Sequence, residues 1–219
     1  LADIDNIGRI VESVASAVDV PVTIKTRTGL TIDDAVGVLA AYVAQEAGAR
    51  MVVMHGRSRA CRFKGQASYE KIQQAKQKLN IPLLVNGDID SLASAQRARE
   101  ISGADGVMIG RGAIGQPWIF AELIGKPLPN RQQQLQIMLR HLKLMHEFYG
   151  PEQGLRIARK HIEAYLGRLG VSHLCREFMP LDSADAQVVW LSLLSQGPLA
   201  FANSSRLVGE SQLQMNSAA

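Results

Sequence analysis

Lys25, His55, Asn86 and Arg111 are the residues of this chain whose types and spacing could do chemistry. Each stands at or just past the end of a short apolar run, beside glycine-bearing segments: Lys25-Thr26-Arg27-Thr28-Gly29, His55-Gly56-Arg57, Asn86-Gly87-Asp88 and Gly110-Arg111-Gly112. An ammonium at the end of a buried strand needs an acceptor, and a planar heterocycle rich in carbonyl oxygens supplies one. His55 can hydrogen-bond the same ligand, and Asn86 can donate and accept at once. Backbone N–H groups around Gly87, Asp88 and Gly110, with the charge of Arg111, suit a phosphate. The plainer readings are that Lys25 pairs with Asp88, that His55 is satisfied inside the fold, and that Gly and Asp are ordinary turn residues.

Two further groups are basic. The stretch after His55 carries Arg57, Arg59, Arg62 and Lys64 around Phe63. Farther on, Arg156, Arg159 and Lys160 stand at i, i+3 and i+4, one face of a helix, with His161 beside them. Cations in such groups suit a polyanion such as RNA, although a charged run is also what any solvated face looks like. No RNA-recognition, KH or zinc-finger pattern accompanies them.

The elements that must position these groups follow from hydrophobic patterning. Apolar, β-branched runs at 21–25, 51–55, 81–86 and 106–110 predict four buried strands. Amphipathic stretches at 31–47, 68–79 and 91–101 predict the helices between them, and strand–helix alternation at this pace makes a parallel sheet. In parallel α/β folds the carboxyl ends of the strands face the ligand, which is where all four polar groups sit. The stretch 125–130 is rich in breakers and reads as a linker. Helices are then predicted at 132–149 and 152–169, separated by Gly150-Pro151. Residues 204–219 offer little to bury and read as a mobile tail.

Composition sets the outer limits. The chain has 219 residues, 47% of them hydrophobic and 20% charged, which excludes collagen-like and wholly disordered classes. Its 24 Lys and Arg against 20 Asp and Glu leave a net charge of +4, which permits nucleic-acid binding without demanding it. The two cysteines, Cys61 and Cys175, have no disulfide or metal-ligand spacing, so no metal site is expected and a cytoplasmic location is. No apolar run approaches the length of a membrane span, so no membrane partner is expected. Leu1 opens the chain and Ile7, Ile10, Val11, Val14 and Ala15 already stand at helical spacing, which suggests a missing N-terminal part.

Taken in order, the Lys25 to Gly29 run, the His55 to Gly65 loop, Asn86-Gly87-Asp88-Ile89, Gly110-Arg111 through Pro117-Trp118-Ile119-Phe120, and Arg156 through His161 resemble the flavin-dependent tRNA-dihydrouridine synthases, most nearly the bacterial B-type. The resemblance implies an FMN-binding TIM barrel followed by a helical tRNA-binding domain. It implies FMN reduced by NADPH, and reduction of a tRNA uridine to 5,6-dihydrouridine. Lys25, His55, Asn86, Gly87, Asp88, Gly110 and Arg111 are then expected at the cofactor. Arg57, Arg59, Arg62, Lys64, Arg156, Arg159 and Lys160 are expected on the RNA.

The chain departs from that family in two respects. A (β/α)₈ barrel needs eight strands, and only four are predicted here, matching the second half. The family's proton-donating cysteine lies in a Cys-Pro motif of the first half, whereas Cys61 and Cys175 are each followed by Arg. No catalytic residue is therefore carried over. The expectation is a C-terminal portion of a longer enzyme, inactive alone, with half a barrel at 1–124, the helical domain at 125–203 and a tail at 204–219. The alternative is a non-catalytic tRNA-binding relative that lacks the proton-donor half.

Overall fold

A computed structural model describes residues 2–62 and 64–196. Phe63 and the tail expected at 204–219 lie outside the described residues. The chain divides into two compact units, Leu1–Ala113 and Ile114–Ala219.

The first unit is α/β. Strands β1 (Thr23–Arg27), β2 (Met51–His55), β3 (Leu83–Asn86) and β4 (Gly106–Met108) form one sheet in sequence order, and every pairing is parallel. Parallel neighbours need a crossover. Helices α2 (Val36–Glu46), α3 (Glu70–Lys76) and α4 (Leu92–Ser102) supply the three crossovers, with α1 (Ile4–Ala17) ahead of β1. Side chains alternate across a sheet, so the register sorts them into two faces. Ile24, Val52 and Leu83 share one cross-strand row. Ile24 packs on the cluster of Val11, Ala44 and Ala49, so this face looks toward the helices. Val52, Met54, Leu83 and Val85, all on it, are completely buried. The opposite face carries polar groups.

Patterning placed β2 at its observed bounds, whereas β1 starts two residues later than 21 and β4 stops at Met108 rather than 110. The helix expected from Thr31 begins only at Val36. The reason is Asp34, whose carboxylate accepts N–H bonds from Leu30 (3.0 Å), Thr31 (2.6 Å) and Val36 (3.2 Å) and folds 30–36 into a turn. Those bonds hold the Asp34 carboxyl down at about 2, with the Thr31 N–H the largest contribution. Ser91 caps α4 as its type suggests, accepting from the Ser94 N–H at 3.2 Å.

The second unit is helical. Its α6 (Arg131–Arg168) is broken at Gly150, where φ is 79° and ψ 168°, immediately before Pro151. The two arms fold back on each other: Arg131 Nη1 donates to the Leu169 carbonyl at 2.7 Å, and the rings of His141 and His161 lie 5.1 Å apart. Leu135, Met138, Leu142 and Met145 from one arm and Ala158, Ile162, Tyr165 and Leu166 from the other share one core. Helices α7 (Cys175–Phe178) and α8 (Ala184–Gln196), which patterning did not single out, close that core through Phe178 and Leu191. Gln187 of α8 is fully buried and bonds both arms, His146 at 2.9 Å and the Leu155 carbonyl at 3.3 Å. The division between units falls after Ala113, ahead of the linker read at 125–130. Helix α5 (Ile119–Leu123) precedes that linker, and Trp118, its N-cap, already packs against the helical core.

Candidate functional site

The face of the sheet away from the helices ends in a row of one residue per strand: Arg27, His55, Asn86 and Met108. Lys25 stands two residues before Arg27 on the same strand and therefore on the same face. Parallel pairing thus brings Lys25, His55 and Asn86 together as expected, and adds Arg27 and Met108. Arg27 was legible in the sequence through the two-residue period of β1 but was not singled out.

Electrostatics at this row are one-sided. Lys25 is solvent-accessible, yet partial burial, and then the charge of Arg27, keeps its pKa below the ordinary lysine value. His55 is pushed down to about 4, first by burial and then by Arg27, Lys25 and Arg57. Its ring is neutral at pH 7. Nδ1 accepts the Arg57 backbone N–H at 3.2 Å, so the ring hydrogen resides on Nε2 and that atom is a donor. Asn86 is 8% exposed and donates one Nδ2 hydrogen to the Met108 carbonyl at 2.8 Å, which leaves Oδ1 and the second Nδ2 hydrogen to offer.

The turn after β3 runs close beside His55. Gly87 has φ 118°, and a Cβ there would meet Ala67 Cβ at 2.9 Å and His55 Nε2 at 3.5 Å. The Tyr69 hydroxyl donates to the Gly87 carbonyl at 2.8 Å. Asp88 follows with φ 53°, and its carboxylate is committed within the fold, to Arg57 Nη2 at 2.8 and 2.9 Å and to the Ala67 N–H at 2.8 Å. Asp88 therefore pairs with Arg57, not with Lys25. After β4, Gly110 has nothing within 4 Å of the position a Cβ would take, and Arg111 is exposed at the start of a 3₁₀ turn, Arg111–Ala113. Gly112 backs that turn onto Ile89, whose carbonyl would lie 2.1 Å from a Cβ.

The basic residues separate by environment. Arg59, Arg62 and Lys64 are exposed on the loop after β2, and Arg27 Nη1 organises that loop by donating to the Ser58 carbonyl at 2.9 Å. Arg57 is only 5% exposed and serves the fold rather than facing a polyanion. In the helical unit Arg156 and Lys160 are exposed, whereas Arg159 is half-buried with Nη2 on the Leu181 carbonyl at 3.1 Å. Among the described residues no group of three or more His, Cys, Asp or Glu could hold a metal ion, and no helix is long and apolar enough to cross a membrane.

A neutral imidazole donor, an ammonium, a carboxamide acceptor and an open glycine backbone beside an arginine form a donor set that fits a planar, carbonyl-rich ligand carrying a phosphate. Comparison with known proteins identifies the family. Residues 1–191 match the family described as Dihydrouridine synthase (Dus). The tRNA-dihydrouridine synthase B of Pseudomonas syringae pv. tomato is 43% identical over 195 residues, covering 85% of this chain and 58% of the relative. That of Pseudomonas aeruginosa is 44% identical over 192 residues, covering 83% and 57%. That of Vibrio parahaemolyticus is 43% identical over 191 residues, covering 83% and 59%. The chain therefore spans less than two thirds of the length of these relatives. With the motif order, the parallel sheet and the family match in agreement, the chain belongs to the dihydrouridine synthase family.

Proposed function

We propose that this chain carries the cofactor-side half of a tRNA-dihydrouridine synthase of the B type, which reduces a uridine of tRNA to 5,6-dihydrouridine with FMN and NAD(P)H. The observation that carries the reading is the row of Arg27, His55 and Asn86 at the carboxyl end of a parallel sheet, with Lys25 two residues before Arg27 on the same face. In this reading the four βα units are the second half of a (β/α)₈ barrel. The face bearing the row is the inner one, and β1 and β4 take further strands at their outer edges.

FMN, when bound, supplies the two-electron chemistry that links NAD(P)H to the 5,6 double bond of uridine. The chain's own residues hold and orient. Lys25 sets its ammonium against an electron-rich oxygen of the ring system. His55 donates from Nε2 and brings no proton of its own to the reaction at neutral pH. Asn86 Oδ1 receives a ring N–H. Gly87, Asp88 and Gly110 bring backbone close to the cofactor, and Arg111 neutralises its phosphate. Saturating uridine also requires an acid at C5, and neither Cys61 nor Cys175 is assigned to it. That role belongs to a Cys-Pro motif in the other half of the barrel.

The tRNA is held through phosphates, by Arg59, Arg62 and Lys64 on the loop after β2 and by Arg156 and Lys160 on α6. The target base leaves its stack to reach the sheet face. On this reading the protein works in the cytoplasm with its tRNA. The test is the full-length protein purified from its source: flavin absorbance, and dihydrouridine formed in unmodified tRNA with NADPH. A colourless protein that still binds tRNA would replace this reading with that of a non-catalytic tRNA-binding relative.

A further inference from the structure

We propose that Arg57 and Asp88 act as a clamp that fixes the His55 ring in one orientation with its hydrogen on Nε2, which makes both of them positioning residues. The inference deepens the reading above, because it rests on His55 Nε2 facing the ligand.

One backbone group links the pair to the ring. The Arg57 N–H donates to His55 Nδ1 at 3.2 Å, and a nitrogen that accepts there cannot carry the ring hydrogen. Where that N–H points is decided by the loop from Arg57 to Ala67, and the Arg57 side chain ties this loop shut. Its Nε donates to the Lys64 carbonyl at 3.3 Å and the Gly65 carbonyl at 3.2 Å, and its Nη2 to Gly65 at 2.6 Å. The same Nη2 reaches both Asp88 oxygens, at 2.8 and 2.9 Å. Asp88 also accepts the Ala67 N–H at 2.8 Å, so one carboxylate gathers the side chain from the start of the loop and the backbone from its end. Arg57 is 5% exposed and its Nη1 is buried without a hydrogen-bond partner. The guanidinium is therefore not available to an incoming phosphate. Asp88 keeps its place in the left-handed region, φ 53°, where few residues other than glycine, asparagine and aspartate are found. The adjoining turn passes His55 Nε2 at Gly87 with no side chain to obstruct that nitrogen.

The groups around the ring are Lys25 and Arg27 from β1, Arg57 from its own loop and Asp88 from the turn after β3. Three are cationic, and they reinforce the burial that keeps the imidazole neutral. Charge alone and clamping make opposite predictions for the loss of Asp88. Deleting a carboxylate lowers an imidazole pKa through charge, whereas releasing the loop rehydrates the ring and raises it.

The experiment is nitrogen–proton correlation NMR of the full-length protein with labelled histidine, flavin-loaded and flavin-free. This chain contributes five histidines to the spectrum, and His55→Gln identifies the signal. Asp88→Gly removes the carboxylate without backbone strain, since glycine accepts a positive φ. It is expected to give a mixture of the two ring tautomers and a midpoint raised by about one pH unit. Asp88→Asn, which keeps an acceptor oxygen for the Ala67 N–H, is expected to retain mostly the Nε2–H form with a smaller rise. Arg57→Met, which keeps the aliphatic stem, should behave like Asp88→Gly. An intact Nε2–H tautomer with an unchanged or lowered midpoint in Asp88→Gly and Arg57→Met overturns the clamp. FMN titration of the same variants separates the two readings. A tautomer lost in Asp88→Gly and Arg57→Met with unchanged FMN affinity upholds the clamp and overturns the use of His55 at the flavin, whereas a tautomer retained in those two variants overturns the clamp whatever FMN does.

Discussion

His55 ties the stability of the α/β unit to pH. Its pKa is about 4 in the folded chain and about 6.5 when unfolded, so between these values the unfolded chain binds more protons. Stability is full above about pH 6.5 and falls as pH drops toward 4. Because the ring is only half-buried, solvent screening limits the loss to about 1 kcal/mol. Urea midpoints at pH 7 and pH 5 should show the decline, and His55→Asn should flatten it. At the same scale, if Lys25 holds FMN as proposed, Lys25→Ala should weaken FMN affinity in the full-length protein by about 10- to 100-fold, as read by fluorescence titration. Lys25, His55 and Asn86 were legible in the sequence because each is the polar residue that ends an apolar strand. The task of Arg57 was not. Four cations follow one another in that loop with nothing to say which is buried, and only the register of β2 against β3 brings Asp88 to meet the first of them.

Between elements the contacts are close enough to test by a single methyl group. A Cβ on Gly37, near the start of α2, would lie 1.8 Å from the Arg27 carbonyl oxygen. Backbone cannot yield there, so Gly37→Ala should cost about 1–3 kcal/mol and be visible as a lowered Tm. The second arm of α6 gives a contrast within one helical face. Arg156→Ala with Lys160→Ala should leave Tm unchanged, weaken tRNA binding and flatten its salt dependence. Arg159→Ala should instead lower stability by about 1 kcal/mol, because it takes a donor from the Leu181 carbonyl. Their shared spacing was legible, and their different duties were not, because α7 and the residues after it decide which side of that face is covered. The break in α6 could be read from Gly150-Pro151 alone. The late start of α2 could not, since Thr31 and Asp34 are both good capping residues and only the folded turn shows Asp34 drawing the chain away from helix.

Across the whole molecule the two units rest on different supports. The helical unit has its own core, built from both arms of α6 with α7 and α8, so residues 114–196 expressed alone should show helical circular dichroism and a cooperative melt. Alternation of strands and helices announced the α/β class. The point of division was harder to see, since the breakers at 125–130 mark where the chain turns and Trp118 marks where the second core begins. The hairpin made by α6 also bears on how the chain reaches this state. Its arms pair residues nearly symmetric about Gly150, such as His141 with His161, so closing it needs one short loop and no crossover. The sheet must instead join β1 to β2 across a whole helix. Contacts between near sequence neighbours form fastest, so the hairpin is set to be an early folding nucleus, with the sheet face that bears Lys25, His55 and Asn86 assembled last.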